Sequence, residues 1–568
     1  MNDQISDLQT RLQLFSTCII QKFPHLLSSE VMHHLPLDFN PHLWPTYTSS
    51  LGLGIHTIID TFLQDLLSID TLPDYAKYIC HIPVNNGGLG LLFPRHRATT
   101  DYVITMTSAI RRATDGFRPN KDVNPTKLHP SITNLFHLAT NPNSSCLLRY
   151  HLLLPSIAQI ACPDRCPPNE RLLHFQTKLS PKSMRSYVKK YCANILTALT
   201  YETTVTDAPE HSHVLPSILS PHTSYPLISM SRNTPANRLP NWSFRLALQR
   251  KLRLPIYDTT NPPHCPCGTT HDAYGDHAFR CKKHNKTSAH HFIRDGWAAA
   301  LQPALALSGY INPNTQLQTE IPHLSPSDIT ARPFDFSFTP DPHPTDPSHC
   351  SCPYTIIGAD VTITHTRDPS SINLTADVKQ KLTAAADQHL QLVEKKKFLR
   401  GNRTIHDPTT NTSRTIFGEE VIGDLLQANA ILIPIAIDPH GYIGPTAQSF
   451  LSTPKTTIPP LAFRSTNPNA RTMHYRATTH PSPTGILQAA DAYWKLHPTR
   501  QFYGPSHSAP TPQIHTMQQL GLTITKAFSI HLRNATRRSV HIPPSTPHQQ
   551  PTPNPPMQRM TDFSHSEP

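Results

Sequence analysis

Proline sets the terms on which this chain can fold. There are 59 prolines among 568 residues, about twice the usual share. Each removes a backbone donor and fixes φ near about −65°, so helices stay short and loops lengthen. The apolar share is 37%, low for a globular chain. The length still suffices for roughly three or four domains, each with a buried core. The expectation is a set of compact islands joined by long irregular segments.

The islands show in the apolar spacing. Leu8, Leu12, Phe15 and Ile19 repeat at helical intervals, as do Ile55, Ile58, Ile59 and Phe62, so residues 1–120 read as mainly helical. Within them, Gly87, Gly88 and Gly90 force a tight turn whose leucines, Leu89 and Leu91, must pack. The turn lacks the Lys-Ser/Thr ending of a phosphate-binding loop, so it reads as structural. Residues 121–235 form a helical, proline-rich linker region, with joints around 163–168 and 205–226. One helix there carries Lys182, Arg185, Lys189 and Lys190 interleaved with Tyr187 and Tyr191. It is either a track for a nucleic-acid backbone or a solvated face. Cys162 and Cys166 read as two unrelated thiols. Trp242 to Leu254 is amphipathic, with Phe244, Leu248 and Leu252 on one face, and residues 539–568 are too polar and proline-rich to fold.

A net charge of +12 suits a polyanionic partner, since nucleic acids release counterions on binding. Eleven cysteines in this length do not make a disulfide scaffold. The opening MNDQISDLQT has acids and no apolar core, unlike a secretory signal. Ile431 to Ile437, the longest apolar run, is too short to span a bilayer and contains Pro434. A soluble intracellular protein is expected, with no membrane partner.

Four residues then gather in one short segment: Cys265, Cys267, His277 and Cys281. Three thiolates and an imidazole supply the four borderline donors of tetrahedral Zn²⁺. Gly268 lets backbone amides turn toward the sulfurs. His277 and Cys281 are four residues apart, one helical turn, which puts them on one face. Asp272 or Asp276 is available to orient the imidazole. With all four positions filled by protein, the zinc is structural in kind.

These ligands carry a resemblance. Phe244-Arg245-Leu246-Ala247-Leu248, Leu252 and Pro255, then C-x-C-G, D-x-x-G-D-H and Cys281, resemble the region behind the polymerase domain of LINE-like, non-LTR retrotransposon reverse transcriptases. The segment His290 to Asp295 is similar to the family's R-H-N-x-L-R-D. His290 matches its histidine, and Ala289 and His291 depart from it. The Gly87–Leu91 turn resembles the family's stretch after the polymerase thumb. The matches cover most of residues 75–110 and 235–535. A polymerase needs paired aspartates for two metal ions, and no two aspartates are adjacent here. The chain therefore looks like the carboxy-terminal part of such a polyprotein, with a polymerase encoded elsewhere as a candidate partner.

Ile356 to Thr364 reads as a buried central strand with Asp360 inside it. An acid there is costly unless partnered, and a metal ion is one such partner. With Asp335 expected on an adjacent strand and Glu320 on a preceding helix, the segment resembles the restriction-endonuclease-like PD-(D/E)xK fold found behind the knuckle of site-specific non-LTR elements. The resemblance implies Asp335 and Asp360 as Mg²⁺ ligands and Glu320 as a further acid. The usual lysine position after the second acid holds Thr362. The family's alternative falls on Lys395 in the helix around 384–398, with Lys396 and Lys397 beside it and Phe398 at the tyrosine position. Ile431 to Ile437, with Asp438 and Gly441, looks like the next strand. His349, Cys350 and Cys352 could be half of a second metal site. Helices at 484–495 and 513–536 are expected to cover the sheet. Arg533, Arg537 and Arg538 end the second one, placed to meet phosphates or the helix dipole.

The expected fold class is thus multi-domain α+β. It comprises post-thumb-like helices (1–120), the linker region (121–235), a helix with the CCHC zinc module (236–300), a nuclease-like α/β domain (301–538) and a disordered tail (539–568). The implied activity is Mg²⁺-dependent DNA cleavage in the nucleus, with RNA a secondary partner. The competing expectation is a non-catalytic nucleic-acid-binding zinc protein with a decayed nuclease fold.

Overall fold

Helical spacing carries into the architecture, but the helices are not kept short: four of those described run 21 to 27 residues, because most prolines fall at their starts or between them. The computed structural model describes residues 7–22, 50–91, 181–228, 235–307, 310–312, 314–322, 324–325, 332–340, 355–365, 378–399, 403–407, 412–416, 430–452 and 511–538, with single positions in 421–428 and 486–490. Helix α1 (Leu8–Leu14) opens on Asp7, whose side chain accepts from the Thr10 amide at 3.1 Å. It runs on through a π-turn that stacks Phe15 on Phe62, ring centroids 3.8 Å apart, in α2 (Ser50–Leu67). Ile55 and Ile59 are buried as expected, but Ile58 is 50% exposed. It lies roughly 100° from Ile59 around the helix axis and falls outside the buried stripe.

After α3 (Asp74–His81) comes the glycine turn. Gly87 has φ +86°, and a Cβ there would lie 1.9 Å from the Leu219 carbonyl oxygen. The turn is a packing device, with Leu89 and Leu91 buried beneath it. Helix α4 (Pro181–Asp207) follows; the side chains of 181–192, including the basic stripe, lie outside the described residues, as do 163–168 with Cys166, and Cys162.

The expected joint at 205–226 is instead mostly helical. A 3₁₀ turn at 209–214 leads into α5 (Leu215–Ile218) and α6 (Pro221–Ile228). Pro209, Pro216 and Pro221 each occupy a first turn, where the missing N–H would be unpaired anyway. Helix α7 (Asn241–Lys251) buries Phe244 and Leu248, with Leu252 just beyond it. These residues share one apolar core with α1 to α3.

A second core surrounds a sheet. The one-turn helix α8 (Asp276–Arg280) and the long α9 (Thr287–Leu307) precede β1 (Gln318–Thr319), β2 (Phe336–Phe338) and β3 (Ile356–Ile363). Then come α10 (Val378–Leu399), the separate hairpin β4 (Arg403–Asp407) and β5 (Thr412–Ile416), and β6 (Ala430–Ile437). The sheet order is β1-β2-β3-β6, antiparallel except for the parallel β3–β6 pair that α10 bridges. Both parallel strands are near-continuous apolar runs, as strands covered on two faces require. Pro434 is tolerated because β6 ends the sheet among the described residues.

Helix α11 (Pro445–Leu451) packs on β6. The last helix, α12 (Pro512–Arg538), lies along α9 and α6 rather than on the sheet alone. It places Leu522 in the first core and Leu520, Ile524, Phe528 and Leu532 in the second. The fold is α+β, mostly helix with a small mixed sheet. No helix among the described residues is long and apolar enough to cross a membrane.

Candidate metal centre and acidic strand ends

The segment before α8 is folded by its own backbone. His264 bridges Thr270, the Cys265 amide donates to Thr269 O at 2.9 Å, and Gly268, at φ +89°, donates to Cys265 O at 2.9 Å. This tight loop presents Cys265 and Cys267. Asp272 then caps α8, its carboxylate accepting from the amides of Tyr274 and Asp276 at 3.0 Å and of His277 at 2.5 Å. Cys281 closes the turn by donating its amide to His277 O at 2.8 Å. The four sequence-read ligands therefore converge. Cys265 and Cys281 sulfurs are 3.5 Å apart, and Cys267 Sγ is 3.3 Å from His277 Nε2. All four donor atoms lie within 4.8 Å of one another, the scale of a tetrahedron with bonds of about 2.0–2.3 Å.

Electrostatics separates the two loop thiols. Burial pushes Cys265 up to about 12, whereas hydrogen bonds from Thr269 bring exposed Cys267 down to about 6. A buried thiol of this kind ionises readily only when a metal displaces its proton.

The two aspartates considered for orienting the imidazole are engaged elsewhere. Asp272 is the helix cap. Asp276 is buried and paired with Arg253 at 2.7 and 3.2 Å, and His440 Nε2 approaches it to 3.5 Å. Burial opposes its ionisation, but Arg253 and His440 outweigh that and hold the carboxyl well below the usual range. The His277 ring instead meets His271 edge-on, centroids 5.1 Å apart.

Two further histidines reach the same place without having been read from the sequence. His284 Nε2 is 3.2 Å from Cys265 Sγ, and Cys265, His271 and His284 form a second group of donors within 4.8 Å. Their only sequence signal is nearness to the ligands, and a chain with 36 histidines hides that signal.

The acids lie at the strand ends of the second core. Pairing runs Thr319↔Phe336 and Phe336↔Ala359. Glu320, Asp335 and Asp360 lie one residue beyond these pairs. The Glu320 amide donates to Asp335 O at 3.1 Å, but the Asp335 amide donates to Ala359 O at 2.8 Å, out of step with the Phe336↔Ala359 pair, so Asp335 does not continue the register toward Asp360. The side chains then divide. Glu320 follows strand β1 and not a helix, because α9 ends at Leu307; at φ +50° it pairs with Arg294 of α9 and with Arg332 at 2.6 Å. Asp335 Oδ2 accepts from the Val361 amide at 2.6 Å and meets His290 Nε2 at 3.1 Å. His290 also reaches Val361 O at 3.0 Å. Asp360 is 7% exposed. Among the described residues, the groups of three or more metal-type donors are the two Cys/His sets, and these three acids do not form another.

Helix α10 brings residue 395 into the same body, but the side chains of Lys395, Lys397 and Phe398 lie outside the described residues, as do His349, Cys350 and Cys352; Lys396 is exposed. Glu394 beside it is buried under α11, accepting from Thr446 N at 3.2 Å and Thr446 Oγ1 at 2.8 Å, and burial lifts its carboxyl to about 7. At the end of β6, Asp438 accepts from the amides of His440 and Tyr442 at 2.9 Å, a turn rather than an open acid. Neither the protein-family models nor the curated proteins give a match to this sequence.

Proposed function

We propose that the chain is a retrotransposon-derived, Mg²⁺-dependent DNA endonuclease with a zinc-stabilised nucleic-acid-binding module and no polymerase of its own. The observation that carries this reading is the placement of Glu320, Asp335 and Asp360 at the ends of paired stretches on three neighbouring strands. Their strands follow an α9-β1-β2-β3-α10-β6 order whose last two strands are parallel. Mg²⁺ held by Asp335 and Asp360 would supply Lewis acidity to the scissile phosphate and an activated water. His290 holds the Asp335 carboxylate in place, Glu320 adds a third acid, and Lys395 stabilises the developing phosphate charge. The positive surface draws DNA, and secondarily RNA, toward the site. The substrate implies work in the nucleus, alongside a polymerase encoded elsewhere. Supercoiled plasmid with Mg²⁺ should be nicked by the purified chain, and Asp360→Asn should slow nicking about 100-fold. Equal nicking by wild type and variant would sink the reading.

One observation favours the non-catalytic alternative. The β2–β3 ladder stops at Phe336↔Ala359, and Asp335 and His290 together satisfy the Val361 amide and carbonyl left beyond it. Asp335 thus has a structural use with no metal at all. In that reading DNA binds and weakens with salt, yet no preparation nicks it.

A further inference from the structure

The four-ligand group accounts for one tetrahedral ion and leaves two buried imidazoles over. His271 and His284 are 3% and 4% exposed, and Cys265 is 4% exposed. Their donor atoms lie within 4.8 Å of one another, but they form a group separate from Cys267, His277 and Cys281, with only Cys265 in common. One four-coordinate ion therefore cannot collect all six donors.

Both imidazoles are placed by the backbone that places the ligands. The His271 amide donates to Pro263 O at 3.0 Å, and the His284 amide to Cys281 O at 3.4 Å. Their rings are walled by other rings: His271 by Tyr257 at 5.3 Å, and His284 by His531 at 6.5 Å. A simple hydrogen bond between His284 and the sulfur would explain the 3.2 Å contact. It would not explain why His271 approaches the same thiolate. A thiolate has lone pairs enough to bridge two ions, and one sulfur with two imidazoles is a donor set suited to Zn²⁺ or Co²⁺.

We propose that Cys265, His271 and His284 form a second metal position, so that Cys265 bridges two divalent ions in one module. The inference rests on the Cys265–Cys267–His277–Cys281 group being a metal site. The second ion has three protein donors, which leaves a fourth position for water or an external ligand. The first ion has none open.

The test is metal stoichiometry on the full chain, stripped with chelator, reloaded with Zn²⁺ alone and dialysed against a weak competing chelator. Mass spectrometry of the metal should give two ions per wild-type chain and one for His271→Ala/His284→Ala. His284→Gln keeps a hydrogen-bonding side chain but not the imidazole, and should also hold one; it decides the matter if the double variant does not fold. Reloaded with Co²⁺, the double variant should keep its thiolate charge-transfer band, since all three cysteines remain. One ion in the wild type overturns the second position alone. Two ions retained in both histidine variants overturn its assignment to these residues. No ion in any chain overturns the first site as well.

Discussion

Arg253 and Asp276 form a buried, two-pronged ion pair at 2.7 and 3.2 Å, with Arg253 held at φ +52° and its carbonyl accepting from Tyr75 OH at 3.0 Å. Asp276→Asn would leave the guanidinium buried without its countercharge, a change that costs about 3–5 kcal/mol. Urea unfolding near neutral pH should show a loss of that order, and a loss below about 1 kcal/mol would mean that the pair is dispensable. Because the Asp276 carboxyl is held well below the usual range, its contribution is complete above the unfolded value near about 4. It is lost as pH falls further, so wild type and variant should converge in acid. Glu394 has the opposite sign. Burial lifts it to about 7, so the folded state takes up a proton that the unfolded chain releases near about 4.3. Stability should fall as pH rises from about 4.3 toward 7, by about 3 kcal/mol, and then level off. Glu394→Gln should flatten that limb in pH-dependent denaturation; an unchanged slope would count against it.

At the scale of the element, β3 and Phe334 meet where there is no room to spare. A Cβ on Gly358 would sit 2.1 Å from the Phe334 ring, which is itself 1% exposed. Gly358→Ala should destabilise by about 1–3 kcal/mol, read as a lower urea midpoint with an unchanged slope. The glycine itself was visible in IIGADVTIT, but its reason was not, since the ring that excludes a side chain comes from residue 334. Helices and strands with clear patterns were legible: α7, β3, β6 and α12 appear within a few residues of their expected places, while α10, expected around 384–398, begins at Val378. The 205–226 stretch was not, because prolines seated in first turns, and Pro226 within α6, look in sequence like prolines that break structure. Ile58 misled for a related reason. Spacing identifies a stripe, whereas the neighbours decide where its rim lies.

For the molecule as a whole, the Cys/His module sits where the two cores meet. Asp276 ties it to Arg253 of the first core, Phe279 packs edge-on against Phe528 at 5.1 Å, and His531 meets Ala278 O at 3.0 Å in α12. Nearby, Lys251 is buried and donates to Ile218 O, to Ser220 O at 3.2 Å and to Thr223 Oγ1 at 2.9 Å, fastening α7 to the α5–α6 turn. A metal that folds 263–284 should therefore support more than its own loop. Chelation should lower the thermal midpoint and raise amide exchange in α7 and α12 together. If exchange rises only within 263–284, the module is an appendage and not a joint.

The cluster Cys265, Cys267, His277 and Cys281, the helical turn between the last two, and the main helices and strands follow from the sequence alone. Each depends on spacing within a few residues, which is local chemistry. What needed the tertiary structure depends on partners far along the chain. His271 and His284 acquire meaning only once the loop folds back on Cys265. Asp335 and Glu320 find His290, Val361, Arg294 and Arg332 only once α9 lies beside the sheet. A carboxylate in a strand and a histidine in a helix look alike whether they will bind a metal or one another. The packing that brings them within 3.1 Å is a property of the whole fold.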